Sequence, residues 1–191
     1  MGQESVGQEK QKYVREQYDQ SAGIYNNRYR AVQREKFEIS IPDSLSLDLP
    51  NQLILDIGCG TGLLGEYLSS RVPGGNVSIV GIDISPKMIK QARRLGMYNC
   101  VIADISALPV RDCRFKVVMS YTAFQNLPDW QEGIQEMFRI LELGGVFMAS
   151  ILKTSIEPGD FFAFLAQGSR LDAEIQASHS EDCIARGIKH K

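Results

Sequence analysis

The chain has 191 residues, of which 43% are hydrophobic and 23% are charged, and these values are ordinary for one globular domain. A formal net charge of −2 gives no overall attraction to nucleic acid or to acidic membranes. No apolar stretch reaches the roughly 20 residues that cross a bilayer, and residues 1–12 are too polar for a signal peptide.

A helical preface opens the chain. Residues 9–39 carry polar and aromatic side chains at helical spacing, with a break near residues 21–23. Pro42 and Pro50 bracket a loop that leads to the first strand. We expect residues 1–50 to form this preface and residues 51–191 to form a sheet, together in a single domain.

The segment LDIGCGTG at residues 55–62 is the most informative part of the sequence. An apolar run leads into Asp56 and then into three glycines at alternate positions, so we predict a buried strand, a tight turn and a helix over 62–71. Glycine permits positive φ angles and close approach of a ligand to the backbone. Turns of this kind at the carboxyl end of a strand bind nucleotide-like ligands, so a nucleoside site is predicted.

Two further strands each end in an acidic residue. The run 79–85 contains Asp83, about 20 residues past the glycines, which is the usual offset for a carboxylate that binds ribose hydroxyls. Ser85 then serves as the N-cap of a helix that stops at Gly96. The third run, within 98–103, leads to Asp104, and we expect this strand to lie at the edge of the sheet.

The remaining elements complete a doubly wound fold. We predict strands at 115–120 and 146–152, with a helix over 129–141 between them. Residues 171–177 alternate apolar and polar, and 183–188 offer another strand so close by that the two must be antiparallel. The fold class is therefore α/β, a mostly parallel seven-stranded sheet with a C-terminal antiparallel hairpin.

This order of motifs resembles the class I S-adenosylmethionine-dependent methyltransferases, whose hallmark is D-x-G-x-G-x-G followed by acids after strands two and three. The resemblance extends from about Tyr13 to Lys189 and implies an enzyme with S-adenosyl-L-methionine as cofactor. It implies that twelve residues bind this cofactor: Asp56, Gly58, Cys59, Gly60, Gly62, Asp83, Ile84, Met88, Asp104, Ile105, Ser120 and Tyr121.

Their implied roles differ along the cofactor. Asp56 would help to hold the methionine amino group, and the backbone around Ser120 and Tyr121 would complete that site. Asp83 would accept hydrogen bonds from both ribose hydroxyls. Asp104, together with Ile105, would contact the adenine.

The resemblance also implies where the methyl acceptor binds. YDQSAGIY at 18–25 looks like the segment that covers the cofactor as a helical lid in many small members, although its tyrosines could equally pack the helix on the sheet. The loops 121–130 and 153–160 would form the rest of the pocket, because the insertion between strands five and six is short. The candidates for contact with the acceptor are Tyr18, Tyr25, Tyr121, Gln125 and Asn126.

Little side-chain chemistry is required, because a sulfonium is an activated methyl donor and a base is needed only for some acceptors. His179 and His190 are interpreted as surface residues. The sequence has no cluster of His and Cys residues, so we expect no metal site. Four cysteines without paired spacing indicate isolated thiols in the cytoplasm.

The alternatives concern the partner and the acceptor. The chain could be a cofactor-binding subunit that needs a partner, such as a small zinc-ribbon activator paired with the 98–103 edge. A dehydrogenase is the weakest alternative, since no Tyr is followed four residues later by Lys. The acceptor could be a small molecule, RNA or protein. Arg28 and Lys36 lie in a basic helix, which is interpreted as a solvated face. The less favoured alternative is that this helix binds an anionic acceptor such as RNA.

Overall fold

A computed structural model describes residues 2–42, 52–71, 77–97, 99–175 and 181–190. Two helices come first, α1 (Gly2–Ser21) and α2 (Tyr25–Ser40), and the remaining elements alternate between strands and helices. The strands are β1 (Leu53–Ile57), β2 (Ser78–Asp83), β3 (Cys100–Ile102), β4 (Phe115–Tyr121), β5 (Leu141–Leu152), β6 (Ser169–Ile175) and β7 (Asp182–Lys189). The helices between them are α3 (Leu63–Arg71), α4 (Pro86–Arg94), α5 (Trp130–Ile140) and α6 (Pro158–Ala166), with short 3-10 turns at Ile105–Ala107 and Phe124–Asn126.

All seven strands form one sheet in the order β3-β2-β1-β4-β5-β7-β6. The first five in this order are parallel, and β7 runs antiparallel to both β5 and β6. The predicted doubly wound sheet, its C-terminal hairpin and the edge position of β3 are therefore confirmed. The strand order reverses beside β1, so the carboxyl ends of β1 and β4 flank the crevice where such sheets bind ligands.

Apolar side chains pack on both faces of the sheet. One cluster includes Phe124, Phe147 and Phe161, and the other includes Phe37 of α2 and Met119. The Phe37 ring lies edge-on to the ring of Tyr121, with their centroids 4.9 Å apart. The helical preface is thus anchored on the sheet beside the carboxyl ends of the strands.

Two elements differ from the sequence prediction. The strand β5 begins at Leu141 rather than 146, because residues on both sides of an irregularity pair with β4, and Gly144 at φ +75° lies within that irregularity. The predicted loop at 153–160 is partly helical, because Pro158–Ala166 form α6. This helix is buried through Phe161, Phe162 and Leu165.

Some predicted features fall outside the described residues, namely Pro50, Tyr98, residues 72–76 and residues 176–180, which include His179. Among the described helices, none is both long and apolar enough to cross a membrane.

Candidate functional site

Three strand ends deliver carboxylates to one edge of the sheet. Asp83 at the end of β2 accepts hydrogen bonds from the backbone N–H of Gly60 (2.8 Å) and of Ser85 (2.8 Å). Burial raises the pKa of Asp83, while these two hydrogen bonds oppose the rise. The carboxylate therefore fastens the glycine turn after β1 to the end of β2.

The three glycines of this turn all have positive φ angles, but they serve different purposes. A Cβ on Gly58 would lie 2.5 Å from the Cβ of Ala123, and one on Gly62 would lie 3.2 Å from Ala92. These two positions need glycine because protein packs against them. A Cβ on Gly60 would meet nothing within 4 Å. The turn is thus open to a ligand at Gly60.

Asp56 of β1 is a buried carboxylate that is only 3% exposed. Its Oδ2 has no hydrogen-bond partner within the described part of the chain. Burial, reinforced by the nearby charge of Asp83, raises the pKa of Asp56 well above its ordinary value. A buried acceptor without a partner is costly, so this position suits a ligand that brings a cationic donor such as an amino group.

Two small adjoining cavities lie along this edge. One, of about 30 Å³, is lined by Asp56, Cys59 and neighbouring residues. The other, of about 60 Å³, is lined by Asp83, Ile84, Asp104, Ile105 and others. Gly58, Gly60, Tyr25 and Tyr121 line both, so we treat them as one donor cavity.

The donor cavity brings together nine of the twelve predicted cofactor residues. The exceptions are Gly62, which packs on α4, and the fully buried Met88 and Ser120. The cavity also includes Gln11 and Val14 of α1, which sequence reasoning missed. No motif marks these two residues in the sequence, because their role depends on where α1 crosses the sheet.

Helix α1 crosses the donor cavity and is bound to several strand ends. Gln11 Nε2 donates to Asp104 Oδ2 (2.6 Å), and Asn126 Nδ2 donates to the Tyr18 hydroxyl (3.0 Å). Asp19 accepts hydrogen bonds from Ser85 Oγ (2.5 Å) and from the backbone N–H at position 87 (3.2 Å). Slight burial raises the pKa of Asp19, but these two hydrogen bonds favour the ionised carboxylate, and the pKa is lowered overall. The helix therefore covers the cavity as a lid.

A larger cavity of about 460 Å³ is lined mainly by α2 and by residues 122–126, and it is called the acceptor cavity below. Four of the residues proposed to contact the acceptor line this cavity, namely Tyr18, Tyr25, Gln125 and Asn126. Tyr121 does not, because its hydroxyl lies 2.7 Å from Ser40 Oγ within the core. Among the described residues, none in the 153–160 segment lines this cavity.

One wall of the acceptor cavity is apolar and belongs to α2 and the turn before it. Ile24, Val32 and Ile39 line this wall although each is exposed to solvent. The rings of Tyr25 and Tyr29 lie beside them with centroids 4.7 Å apart. The wall therefore suits the apolar or aromatic body of a ligand.

The interpretation of Lys36 as part of a solvated helical face was wrong. Lys36 is buried rather than solvated, and its ammonium lies 2.8 Å from Asp182 Oδ2. The four cysteines are free, as expected of thiols without paired spacing. His190 is exposed, as predicted. Over the described ranges, no group of three or more His, Cys, Asp or Glu residues could hold a metal ion.

Comparison with known proteins gives a consistent result. Residues 54–145 match a family model described as a methyltransferase domain. The demethylmenaquinone methyltransferase of Thermus thermophilus is 36% identical over 106 residues, which cover 53% of this chain and 47% of that protein. The malonyl-[acyl-carrier protein] O-methyltransferase of Geobacter sulfurreducens is 34% identical over 138 residues, which cover 70% of this chain and 51% of that protein. This chain thus spans about half the length of the curated relatives it matches.

Solved structures share the fold at low sequence identity. A methyltransferase structure from Haloferax volcanii, solved in complex with the Trm112 methyltransferase activator, superposes with a TM-score of 0.66 at 17% identity. This match covers 91% of this chain and 98% of that one. A SAM-dependent methyltransferase from Aquifex aeolicus gives a TM-score of 0.59 at 17% identity. This match covers 82% of this chain and 98% of that one.

Proposed function

We infer that this chain belongs to the class I S-adenosylmethionine-dependent methyltransferase family, because residues 54–145 match a methyltransferase domain, and we propose that it methylates a small molecule that binds in the acceptor cavity. The cofactor of the family is S-adenosyl-L-methionine. The observation that carries the proposal is that four residues, Tyr18, Tyr25, Thr122 and Asn126, line both the donor and the acceptor cavity. A ligand in one cavity therefore lies directly beside a ligand in the other.

The residues of the donor cavity fit the parts of this cofactor. The unpaired Oδ2 of Asp56 is placed to accept from the methionine ammonium group, and Gly60 leaves open space where the cofactor would approach the backbone. Asp83 and Asp104 would hold the ribose and the adenine. The bound cofactor supplies an activated methyl group on a sulfonium.

The acceptor cavity contributes alignment more than acid–base chemistry. Its volume of about 460 Å³ falls within the range of small-molecule sites, and its exposed apolar wall would hold the body of the acceptor. Gln125 and Asn126 would orient the nucleophile by hydrogen bonding. Alignment of this kind supplies up to about 7–11 kcal/mol of the barrier reduction. The name of one matched relative, a demethylmenaquinone methyltransferase, supports an acceptor with an apolar body, whereas that of the malonyl-[acyl-carrier protein] O-methyltransferase points to a polar group carried on a protein.

Cofactor binding is tested by titration calorimetry with S-adenosylhomocysteine, the demethylated product. We expect the wild-type chain to bind it and Asp83→Ala or Gly60→Val to weaken binding by about 1.4–3 kcal/mol, because each removes a contact or fills the open space. Asp112→Ala is the control, since this exposed carboxylate lies outside both cavities. Absence of binding by the wild type, or equal binding by all variants, would contradict the proposal.

The acceptor is sought by incubating the protein with radiolabelled cofactor and fractionated cell extract. We expect label in a small-molecule fraction with apolar character. Label recovered only in RNA or in protein would contradict the small-molecule proposal while leaving methyl transfer intact.

A partner at the sheet edge is the second candidate. On β3, Val101 is 43% exposed and Ile102 is 53% exposed, although both side chains are apolar. Such an edge can pair with another chain, and the Haloferax volcanii relative was solved with an activator. We expect Ile102→Lys to abolish co-purification with an activator if one binds here. Full activity of the chain alone would reject this candidate.

A further inference from the structure

Thr122, the residue directly after β4, has a φ angle of +58°. Left-handed backbone is rare for a β-branched residue, because its Cβ crowds the adjacent carbonyl. Such conformations persist only where the surroundings impose them, and they occur often at functional sites. Thr122 lies at such a place, since it lines both the donor and the acceptor cavity.

Hydrogen bonds from three other elements hold Thr122 in this conformation. Its backbone N–H donates to the carbonyl and to the hydroxyl of Ser150 on β5, each at 3.0 Å. Its own hydroxyl accepts from Lys36 Nζ of α2 (2.8 Å) and donates to Asp182 Oδ2 of β7 (2.8 Å). Every polar atom of Thr122 except its carbonyl oxygen is therefore used to fix it.

The partners of Thr122 are also bound to one another. Asp182 Oδ2 lies 2.8 Å from Lys36 Nζ and accepts a hydrogen bond from Ser150 Oγ at 2.8 Å. The side chains of Lys36 and Asp182 are only 5% and 1% exposed. Replacing a buried ion pair by apolar residues often costs no stability, so stability alone does not account for this one. We call Lys36, Ser150 and Asp182 the clamp.

The carbonyl oxygen of Thr122 transmits the effect of the clamp to the acceptor cavity. It accepts from Gln125 Nε2 (2.8 Å) and from Asn126 Nδ2 (3.4 Å). Asn126 Nδ2 also contacts the Tyr18 hydroxyl of the lid. The backbone conformation at position 122 thus determines where both amide side chains lie between the two cavities.

We propose that Lys36, Ser150 and Asp182 are positioning residues, which hold Thr122 in its strained conformation so that Gln125 and Asn126 face the methyl acceptor. The proposal deepens the function proposed above and rests on it. It predicts that the clamp affects methyl transfer itself more than the affinity for the cofactor.

The test uses two variants that break the contacts between the clamp and Thr122 without leaving an unpaired buried charge. Thr122→Val keeps the shape of the side chain but loses the hydroxyl, and Lys36→Met combined with Asp182→Leu removes the ion pair as a unit. Thr122→Ser retains the hydroxyl and serves as the conservative rescue. Arg170→Gln combined with Asp172→Asn, an exposed pair on β6, is the control for loss of an ion pair elsewhere.

Amide hydrogen exchange is the first measurement, because it needs neither cofactor nor acceptor. We expect residues 122–127 to exchange about tenfold faster in both clamp variants, to regain protection in Thr122→Ser and to be unchanged in the control. Unchanged exchange in the clamp variants would overturn the proposal whether or not methyl transfer is found.

The kinetic measurement then separates positioning from folding. With the acceptor found in the screen above, we expect kcat to fall by about 10- to 100-fold in the clamp variants, with the S-adenosylhomocysteine Kd within about twofold of wild type. A kcat equal to that of the wild type, or a parallel loss of cofactor affinity, would overturn the positioning role. Failure of the wild type to methylate any acceptor would instead contradict the proposed function.

Discussion

The carboxylate of Asp56 lacks the hydrogen bonds that its neighbours at the sheet edge receive. Asp83 accepts from two backbone N–H groups, and Asp104 accepts from Gln11 and Ser106. Within the described ranges Asp56 Oδ2 has no such partner, and the raised pKa of this residue reflects that lack. A bound ammonium group would reverse the effect by favouring the ionised carboxylate.

This reversal predicts that ligand binding releases protons. On binding of S-adenosylhomocysteine, which carries the amino group, Asp56 should ionise and release up to one proton at a pH below its raised pKa. Calorimetric titrations in buffers of different ionisation enthalpy measure the number released. Asp56→Asn should remove this release, and equal release by both proteins would contradict the assigned role.

The same group makes the stability of the ligand-free protein dependent on pH. Because the folded chain holds the Asp56 proton more tightly than the unfolded chain, its contribution is complete below the ordinary pKa and is lost as the pH rises through the folded value. We expect the free energy of unfolding of wild type to fall relative to Asp56→Asn over this range, by at most about 1.4 kcal/mol per pH unit. Urea unfolding at a series of pH values measures the difference, and a constant difference would reject it.

At the scale of elements, α1 is the part of the molecule that controls access to the donor cavity. The cavity beneath it, about 60 Å³, is far smaller than the roughly 300 Å³ or more of ordinary ligand sites. The Gln11 amide also occupies a carboxylate oxygen that would contact the adenine. We infer that the helix moves, and that Gln11 leaves Asp104, when the cofactor enters.

We accordingly expect Gln11→Ala to accelerate cofactor association by at least about threefold, because one hydrogen bond that closes the lid is lost. Surface plasmon resonance with immobilised protein and S-adenosylhomocysteine measures the rate. Gln17→Ala on the exposed face of α1 is the control. An unchanged or slower association in Gln11→Ala would contradict a closed lid.

The elements that could be predicted from the sequence are those whose signals are local. The glycine turn at 55–62 and the strand that ends at Asp83 each carry their pattern within a few residues. The helix α6 was missed because its sequence, PGDFFAFLA, is apolar on nearly every side and has no helical period. The predicted helix over 129–141 and the predicted strand from 146 leave Gly144 between two elements, whereas it lies inside β5.

The parts of the candidate site that escaped prediction depend on contacts between distant residues. Lys36 and Asp182 are separated by most of the chain, and nothing near either residue marks it as half of an ion pair. Gln11 is one of several polar residues in a polar helix. Their roles follow from the fold that brings them together, so periodicity and motif spacing could not find them.

At the scale of the whole molecule, two apolar clusters cover the faces of one continuous sheet. The preface is joined to this sheet by Phe37 and by the ion pair between Lys36 and Asp182. Such an arrangement predicts that the lid, the cofactor-binding strands and the C-terminal hairpin unfold together as one domain.

Differential scanning calorimetry tests this prediction. We expect a single transition whose calorimetric and van't Hoff enthalpies agree. S-adenosylhomocysteine at about 100 times its Kd should add about 2.7 kcal/mol to the stability of the folded state. Two separate transitions, with only one shifted by the ligand, would show instead that the preface folds independently of the sheet.

The position of Asp182 in β7 has a consequence for biosynthesis. A ribosome makes this strand after every other strand of the sheet, yet β7 inserts between β5 and β6 and supplies the anion that neutralises Lys36. A nascent chain that has not yet emerged as far as β7 would hold Lys36 without its counter-ion. The contacts that hold Thr122 between the two cavities are therefore completed last, after the strands that carry Asp56 and Asp83 have been made.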